Sequence, residues 1–183
     1  MSAAAAPSSA PPGLPWQLVV MGVCGCGKSS VGQQLAQALG LGFLEGDELH
    51  PRRNVVLMAA GTPLTDADRA DWLATIGARL GHAQAAGRGL VVSCSALKRA
   101  YRDLLRAACP GLRFIYLHGS TDQLRQRLQA RQGHYMPSAL LDSQLAALEP
   151  PSPDEAALAF DISPPAAQLA QAVLARLQHH NAP

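Results

Sequence analysis

Short apolar runs recur along this chain, and each is separated from the next by a longer segment of mixed polarity. The runs lie at 17–21, 43–45, 90–93, 112–117 and 158–162. Their length and their content of Val, Ile, Leu and Phe are typical of buried strands. The pattern therefore predicts about five strands.

The segments between these runs have the apolar periodicity and the capping residues of helices. The predicted N-terminal caps are the capping box Thr65-x-x-Asp68, the capping box Ser120-x-x-Gln123, and Ser163 with Pro164 at the first helical position. A further helix is predicted from 137 to about 148. Because strands alternate with helices, the predicted fold class is α/β, a parallel sheet of about five strands covered by helices on both faces. Ligands bind such sheets outside the carboxyl ends of the strands.

Length and composition change this picture little. The 183 residues fit one domain, which we place at 16–183. Residues 1–15 carry no charge and no long apolar stretch, so they predict a disordered tail rather than a signal or transit peptide. Nowhere do about 18 apolar residues run together, and this excludes a membrane-spanning helix.

The net charge and the cysteine content indicate which partners and which cellular compartment to expect. A net charge of +2 is too balanced for the basic footprint of a nucleic-acid-binding protein. The four cysteines have neither the density nor the spacing of a disulfide framework. We therefore expect a reduced, cytoplasmic protein that binds neither nucleic acid nor membrane.

The segment directly after the first apolar run reads G-V-C-G-C-G-K-S, a complete phosphate-binding loop, or P-loop, between a strand and a helix. The glycines let backbone N–H groups turn toward phosphate oxygens, Lys28 reaches the β and γ phosphates, and the Ser29 hydroxyl can ligate Mg²⁺. The predicted nucleotide-binding residues here are Gly22, Val23, Cys24, Gly25, Cys26, Gly27, Lys28, Ser29 and Ser30.

Polar residues that could act on a phosphoryl acceptor follow the other predicted strands. Asp47 comes after the second strand and could orient or deprotonate a hydroxyl, although it could also simply cap the next helix. Arg127 and Arg131 form an i,i+4 pair ahead of a loop that contains Gly133, which suits a lid that closes on phosphates. For Arg125 we favour a solvated helix face, and for Trp72 a place in the core.

Four further segments resemble one kinase family. They are Glu45-Gly-Asp-x-x-His-Pro-x-x-Asn54, Met58-x-x-Gly-x-Pro-Leu-x-Asp-x-Asp-Arg-x-x-Trp-Leu73, Cys94-Ser-Ala-Leu-Lys-x-x-Tyr-Arg-Asp103 and Gly133-His-Tyr-Met-Pro137. Their order and spacing are similar to those of gluconate kinase (gluconokinase) from about residue 17 to the end. The resemblance implies a P-loop kinase fold with a short lid, usually a homodimer. It also implies ATP-dependent phosphorylation of the 6-hydroxyl of D-gluconate, whose product feeds the pentose phosphate or Entner-Doudoroff routes.

The resemblance also implies roles for particular residues. Lys28, Arg127 and Arg131 would contact the ATP phosphates, and Asp47 would act on the sugar hydroxyl, so that Asp47, Lys28 and Arg131 form the predicted catalytic set. The predicted substrate contacts are Asp47, His50, Arg53, Lys98 and Arg102. A histidine is more often a surface or capping residue than a catalyst, so such a role remains the alternative for His50 and His134.

The chain departs from the family's usual pattern at a few positions. Glu45 stands where Asp is usual, which leaves Ser29 as the predicted Mg²⁺ ligand, and Leu57 stands where Lys is common. Cys24 and Cys26 replace common serines. We favour the simpler interpretation that both are small residues tolerated in a tight turn. The alternative is a redox switch, because a place beside Lys28 at a helix N-terminus lowers thiol pKa values and favours reaction with peroxide.

Two other functions remain open at this point. A related kinase acting on shikimate or a nucleoside monophosphate would share the loop, the sheet and the lid. A regulatory module would bind ATP without turnover. The segments around His50 and Lys98 favour the gluconate kinase interpretation over the first, and the convergence of Asp47 with several cations favours it over the second.

Overall fold

The computed structural model describes residues 15–130 and 138–179, which form five strands and seven α-helices. The strands are β1 Gln17–Met21, β2 Gly42–Glu45, β3 Leu90–Ser93, β4 Arg113–His118 and β5 Leu158–Asp161. The helices are α1 Lys28–Leu39, α2 Arg52–Ala59, α3 Asp66–Ala85, α4 Arg99–Ala108, α5 Thr121–Gln129, α6 Ser138–Ala147 and α7 Ala166–His179. Residues 1–14 of the predicted tail lie outside the described residues.

All five strands are parallel and lie in the order β2-β3-β1-β4-β5. β1 occupies the centre, where Val19 lies opposite Val92 on one side and Phe114 on the other. The predicted α/β class with a five-stranded parallel sheet is confirmed.

Successive side chains of β1 enter two different layers of the core, because neighbouring residues of a strand point to opposite faces. Leu18 and Val20 pack into the layer that includes residues of α1 and α7. Val19 and Met21 pack into the layer that includes residues of α3 and α4. Helices therefore cover both faces, and the segments after the strands are left at the carboxyl edge of the sheet. Among the described residues, no helix is long and apolar enough to cross a membrane.

The predicted caps are confirmed at two helices and wrong at a third. Capping boxes join Thr65 to Asp68 and Ser120 to Gln123. The last helix, α7, begins at Ala166 rather than beside Ser163. The Ser163 backbone N–H and hydroxyl both donate to the Asp161 carboxylate instead, so Ser163 closes a turn after β5.

Two helices, α2 and α4, were not predicted from the sequence. In α2 the only buried residue is Asn54, while Val55 and Val56 are exposed, so the usual relation of polarity to burial is reversed. In α4 the buried face includes Arg102, a residue that pattern analysis assigns to the surface. Apolar periodicity therefore fails for α2, whereas in α4 it is present, since Tyr101 and Leu105 are four residues apart and both buried.

Candidate active site

The P-loop leaves the sheet at its centre. It follows β1, all of whose residues are buried, and Gly22 begins it with a φ of 142°. A Cβ at Gly22 would collide with the carbonyl oxygen of Leu117 in β4. Only glycine fits this position, so the loop can lie close against β4 at the carboxyl end of the sheet.

Helix α1 begins at the end of this loop without a side-chain cap. Its N-cap is Gly27, in the left-handed region with a φ of 93°, and its first turn holds no acidic residue. The first N–H groups of a helix have no partner within the helix, and the dipole makes this end attractive to anions. The N-terminus of α1 is therefore fitted to receive phosphate oxygens.

Lys28 reaches back over the loop. Its Nζ donates to the carbonyl oxygen of Val23 at 3.1 Å. Burial by itself lowers the pKa of Lys28, but attraction by negative groups, with Cys26 and Asp47 the largest, leaves the pKa above its ordinary value. Lys28 is thus charged at neutral pH, and the Asp47 carboxylate lies within its electrostatic range.

Arg127 lies against the other side of the loop. Its Nη2 donates to the carbonyl oxygen of Ile162, and a Cβ built on Gly27 would lie 3.5 Å from its Nη1. The guanidinium is therefore next to the N-terminus of α1, as a phosphate contact requires. Arg131, with Gly133 and His134 of the predicted lid, lies outside the described residues. Arg125 is exposed and pairs with Asp142 at 3.0 Å, which agrees with a solvated helix face.

Gly46 brings Asp47 to the carboxyl edge of the sheet. A Cβ at Gly46 would collide with the carbonyl oxygen of Ser93 in β3. The Gly46 carbonyl accepts a hydrogen bond of 2.7 Å from the indole of Trp72, which is fully buried as predicted. Asp47 follows in a 3-10 helix, Gly46–Leu49, with its side chain exposed toward the site.

Asp47 does not act as a helix cap. The 3-10 helix begins after Glu45 and α2 begins after Pro51, and neither helix start has a side-chain hydrogen bond. The capping interpretation is therefore wrong. The Asp47 carboxylate takes no hydrogen bond from any residue in the described part of the chain, so it is available to a ligand.

His50 packs against Trp72 and Asn54. It is 8% exposed, its ring stacks on Trp72 with centroids 4.2 Å apart, and its Nδ1 lies 3.3 Å from the side-chain nitrogen of Asn54. Burial lowers the pKa of His50 to about 4. The imidazole is therefore neutral at physiological pH.

A cavity of about 180 Å³ opens beside α3 and α4. Its lining residues are Pro63, Leu64, Asp66, Arg69, Leu97, Lys98, Tyr101, Ser143 and Ala147. Lys98 donates to both carboxylate oxygens of Asp66 at 2.8 Å, and the Tyr101 hydroxyl donates to the same carboxylate at 2.5 Å. The cavity is therefore lined by both polar and apolar side chains, as small-molecule sites are.

Known proteins with similar sequences identify the family. The family model described as "AAA domain" matches residues 18–151. A gluconokinase of Gluconobacter oxydans (strain 621H) is 54% identical over 138 residues, which cover 75% of this chain and 78% of that protein. The thermoresistant gluconokinase of Escherichia coli (strain K12) is 45% identical over 148 residues, covering 80% of this chain and 85% of that protein. The chain belongs to the gluconokinase family.

The fold agrees with that of a solved gluconokinase. The crystal structure of a gluconokinase from Sinorhizobium meliloti 1021 superposes with a TM-score of 0.82 at 50% identity, covering 91% of this chain and 95% of that one. The resemblance inferred from the sequence is therefore confirmed, and this gluconokinase-family chain is a P-loop kinase.

One of the predicted substrate contacts is enclosed in the core of this gluconokinase-family structure, whereas Arg53 stays a prediction. Arg102 is fully buried and pairs with Glu155 at 2.6 and 2.7 Å, so its guanidinium has no access to a ligand and the prediction for Arg102 is wrong. Arg53 has a side chain that is 80% exposed and pairs with Asp68 at 3.2 Å on the surface. Lys98 remains a candidate because it lines the cavity.

The alternative of a reactive thiol at Cys24 also needs correction. Cys24 is 7% exposed, and burial raises its pKa to about 11 despite the attraction of Lys28. Cys26 is fully buried. Both side chains point into the core layer that α1 shares, because the loop turns its backbone rather than its side chains toward the ligand. A buried thiol of raised pKa is a poor target for peroxide.

Sequence reasoning missed two residues at this gluconokinase-family site. Arg69 lines the cavity although it stands within a segment that we quoted for the resemblance. Gln144 of α6 accepts a hydrogen bond of 2.8 Å from the Cys24 backbone N–H and so connects α6 to the P-loop. The spacing to Trp72 could have indicated Arg69, because a residue one turn before a buried Trp on an amphipathic helix lies near the core. Nothing local indicates Gln144.

Proposed function

We propose that this protein transfers the γ-phosphoryl group of ATP to the 6-hydroxyl of D-gluconate, giving 6-phospho-D-gluconate and ADP. The observation that carries the proposal is a carboxylate, Asp47, that none of the described residues pairs with and that lies within electrostatic range of the P-loop lysine. Membership of the gluconokinase family supports gluconate as the acceptor.

The nucleotide side of the site binds by charge and by backbone donors. The N–H groups of the first turn of α1 would hold the β and γ phosphates, and Lys28 would exchange the Val23 carbonyl for phosphate oxygens. Arg127, beside Gly27, would offset the charge that spreads over the transferring group. We also assign Arg131 to this role, as part of a lid.

The acceptor side binds and orients the sugar acid. Asp47 would accept a hydrogen bond from the 6-hydroxyl, hold its oxygen in line with the phosphorus, and take up its proton as the new bond forms. Because burial lowers the pKa of His50 to about 4, its imidazole adds no positive charge to this side of the site at neutral pH.

Mg²⁺ fits the open end of α1. The Ser29 hydroxyl, in the first turn and half-buried, is the residue that would hold it. When bound, the ion would neutralise charge on the β and γ phosphate oxygens. We further propose that the protein acts in the cytoplasm as a homodimer, and light scattering of the purified protein would test the dimer.

A coupled assay of ADP release tests the proposed function. The acceptors would be gluconate, shikimate, glycerate and a nucleoside monophosphate, each with and without Mg²⁺. We expect turnover with gluconate to exceed that with the other acceptors by several orders of magnitude, and to need the ion. Equal turnover with shikimate, or ATP binding with no turnover on any of these acceptors, would refute the proposal.

A further inference from the structure

The Arg69 side chain is largely buried, and none of the described residues pairs with its guanidinium. It extends from α3 and is 9% exposed, yet no side-chain or carbonyl oxygen in residues 15–130 and 138–179 accepts a hydrogen bond from its guanidinium. Asp66 and Asp68 lie within its electrostatic range, since Arg69 lowers the pKa of both, but neither forms an ion pair with it.

The other buried arginine, Arg102, has hydrogen-bond acceptors within the protein. Arg102 donates to both carboxylate oxygens of Glu155 and to the carbonyl oxygens of Ala96 and Leu97. No nitrogen of Arg69 is fully enclosed without a partner, so its guanidinium opens onto the cavity that the residue lines. The contrast indicates that the partner of Arg69 is a ligand rather than a protein group.

The charges around the cavity favour an anionic ligand. Lys98 and Asp66 neutralise each other through two hydrogen bonds of 2.8 Å, and the Tyr101 hydroxyl occupies Asp66 further. The charge of Arg69 is not neutralised in this way, so the residues that line the cavity carry one net positive charge. A guanidinium has a planar fork of N–H groups that matches a carboxylate in two hydrogen bonds.

The position of the cavity relates it to the catalytic carboxylate. Asp47 and Arg69 both act electrostatically on His50, Asp47 raising and Arg69 lowering its pKa, and both act on Cys94. Geometry connects the two residues as well: Trp72, one turn after Arg69 on α3, donates to the carbonyl oxygen of Gly46, the residue before Asp47, at 2.7 Å. A linear acceptor could place its hydroxyl end at Asp47 and its anionic end at Arg69.

We propose that Arg69 binds the carboxylate of the acceptor and is the residue that selects sugar acids over neutral polyols. This inference rests on the proposed function, because it concerns the far end of the same acceptor. The selectivity arises because the carboxylate of gluconate can accept two charged hydrogen bonds from the guanidinium, whereas a neutral polyol offers no counter-charge.

The test compares gluconate with D-glucitol, which keeps the six-carbon polyol and lacks the carboxylate. The variants are Arg69→Gln, Arg69→Lys and the control Arg79→Gln, an exposed arginine on the same helix. For Arg69→Gln we expect KM for gluconate to rise about 10- to 100-fold, the usual loss for a hydrogen bond to a charged group. KM for ATP and kcat/KM for D-glucitol should stay close to the parent's, and Arg69→Lys should recover part of the loss. Arg79→Gln should behave as the parent.

The outcomes separate the two proposals. If the parent does not phosphorylate gluconate, the proposed function fails and the acceptor must be sought in the wider panel. If the parent does so and Arg69→Gln keeps the parent's ratio of kcat/KM between gluconate and D-glucitol, Arg69 does not bind the carboxylate and this inference alone is overturned. An equal loss on both acceptors, together with a lowered Tm, would make Arg69 a structural residue and would overturn it as well.

Discussion

Replacing Arg102 by Met should destabilise this protein without changing its affinity for gluconate. The guanidinium and the Glu155 carboxylate are both buried, with side-chain exposures of 0% and 1%. Removing one partner of a buried ion pair typically costs about 3–5 kcal/mol, because the other charge is left uncompensated. Arg106 also contacts Glu155, at 3.1 Å, and would retain part of the attraction. We therefore expect about 3 kcal/mol.

This free energy corresponds to a measurable change in Tm. For a domain of this size, about 1 kcal/mol shifts Tm by about 2–4 °C, so Arg102→Met should lower Tm by about 6–12 °C. Differential scanning calorimetry measures the change, and steady-state kinetics measures KM for gluconate. The control is Arg99→Met on the same helix, whose ion pairs with Asp103 and Asp154 are exposed. Its Tm should remain close to the parent's.

The same ion pair predicts a dependence on pH. The hydrogen bonds from Arg102 lower the pKa of Glu155 to about 2 in the folded protein, from an ordinary value of 4.5. A carboxyl group of lowered pKa contributes its full stability above the unfolded value and loses it as pH falls toward the folded value. The gap in Tm between the parent and Arg102→Met should therefore be constant near neutral pH and narrow between about pH 4.5 and 2. A raised KM for gluconate with an unchanged Tm would refute this reasoning and return Arg102 to the substrate site.

Four further changes test other parts of the structure. Lys28→Ala should abolish most turnover and leave the circular dichroism spectrum unchanged, because the proposed role of the ammonium is to bind phosphate and its described hydrogen bond is a single one to the Val23 carbonyl; full turnover would exclude the P-loop mechanism. Asp47→Asn should lower kcat by about 10²–10⁴ with little change in KM for ATP, and an unchanged kcat would exclude it as the base. Gly46→Ala should lower kcat and Tm together, because a Cβ there meets the Ser93 carbonyl and displaces the next residue; parental values of both would show that the close approach is not needed. Cys24→Ser should leave the rate of inactivation by peroxide unchanged, since the buried thiol has a pKa of about 11, whereas protection by this substitution would restore the alternative of a redox switch.

The sequence was sufficient for the features that depend on neighbouring residues. The strands β1 and β3 begin and end at the predicted residues, and the capping boxes at Thr65 and Ser120 form as predicted. The P-loop belongs to the same class, because the left-handed glycine and the helix start that follows it are properties of a few consecutive residues. Local backbone preference and local hydrogen bonds determine such features, and both can be recognised in a short segment.

The tertiary structure alone decided which charged side chains are available to a ligand. Arg53, Arg69 and Arg102 are indistinguishable by residue type, yet one is on the surface, one faces the cavity and one is paired in the core. The partner of Arg102 is Glu155, 53 positions away in the chain. The burial of Cys24 likewise follows from the packing of the loop onto the sheet. Solvation and pairing set the state of a charge, and both depend on groups that are distant in sequence and become neighbours only when the sheet and its helices assemble.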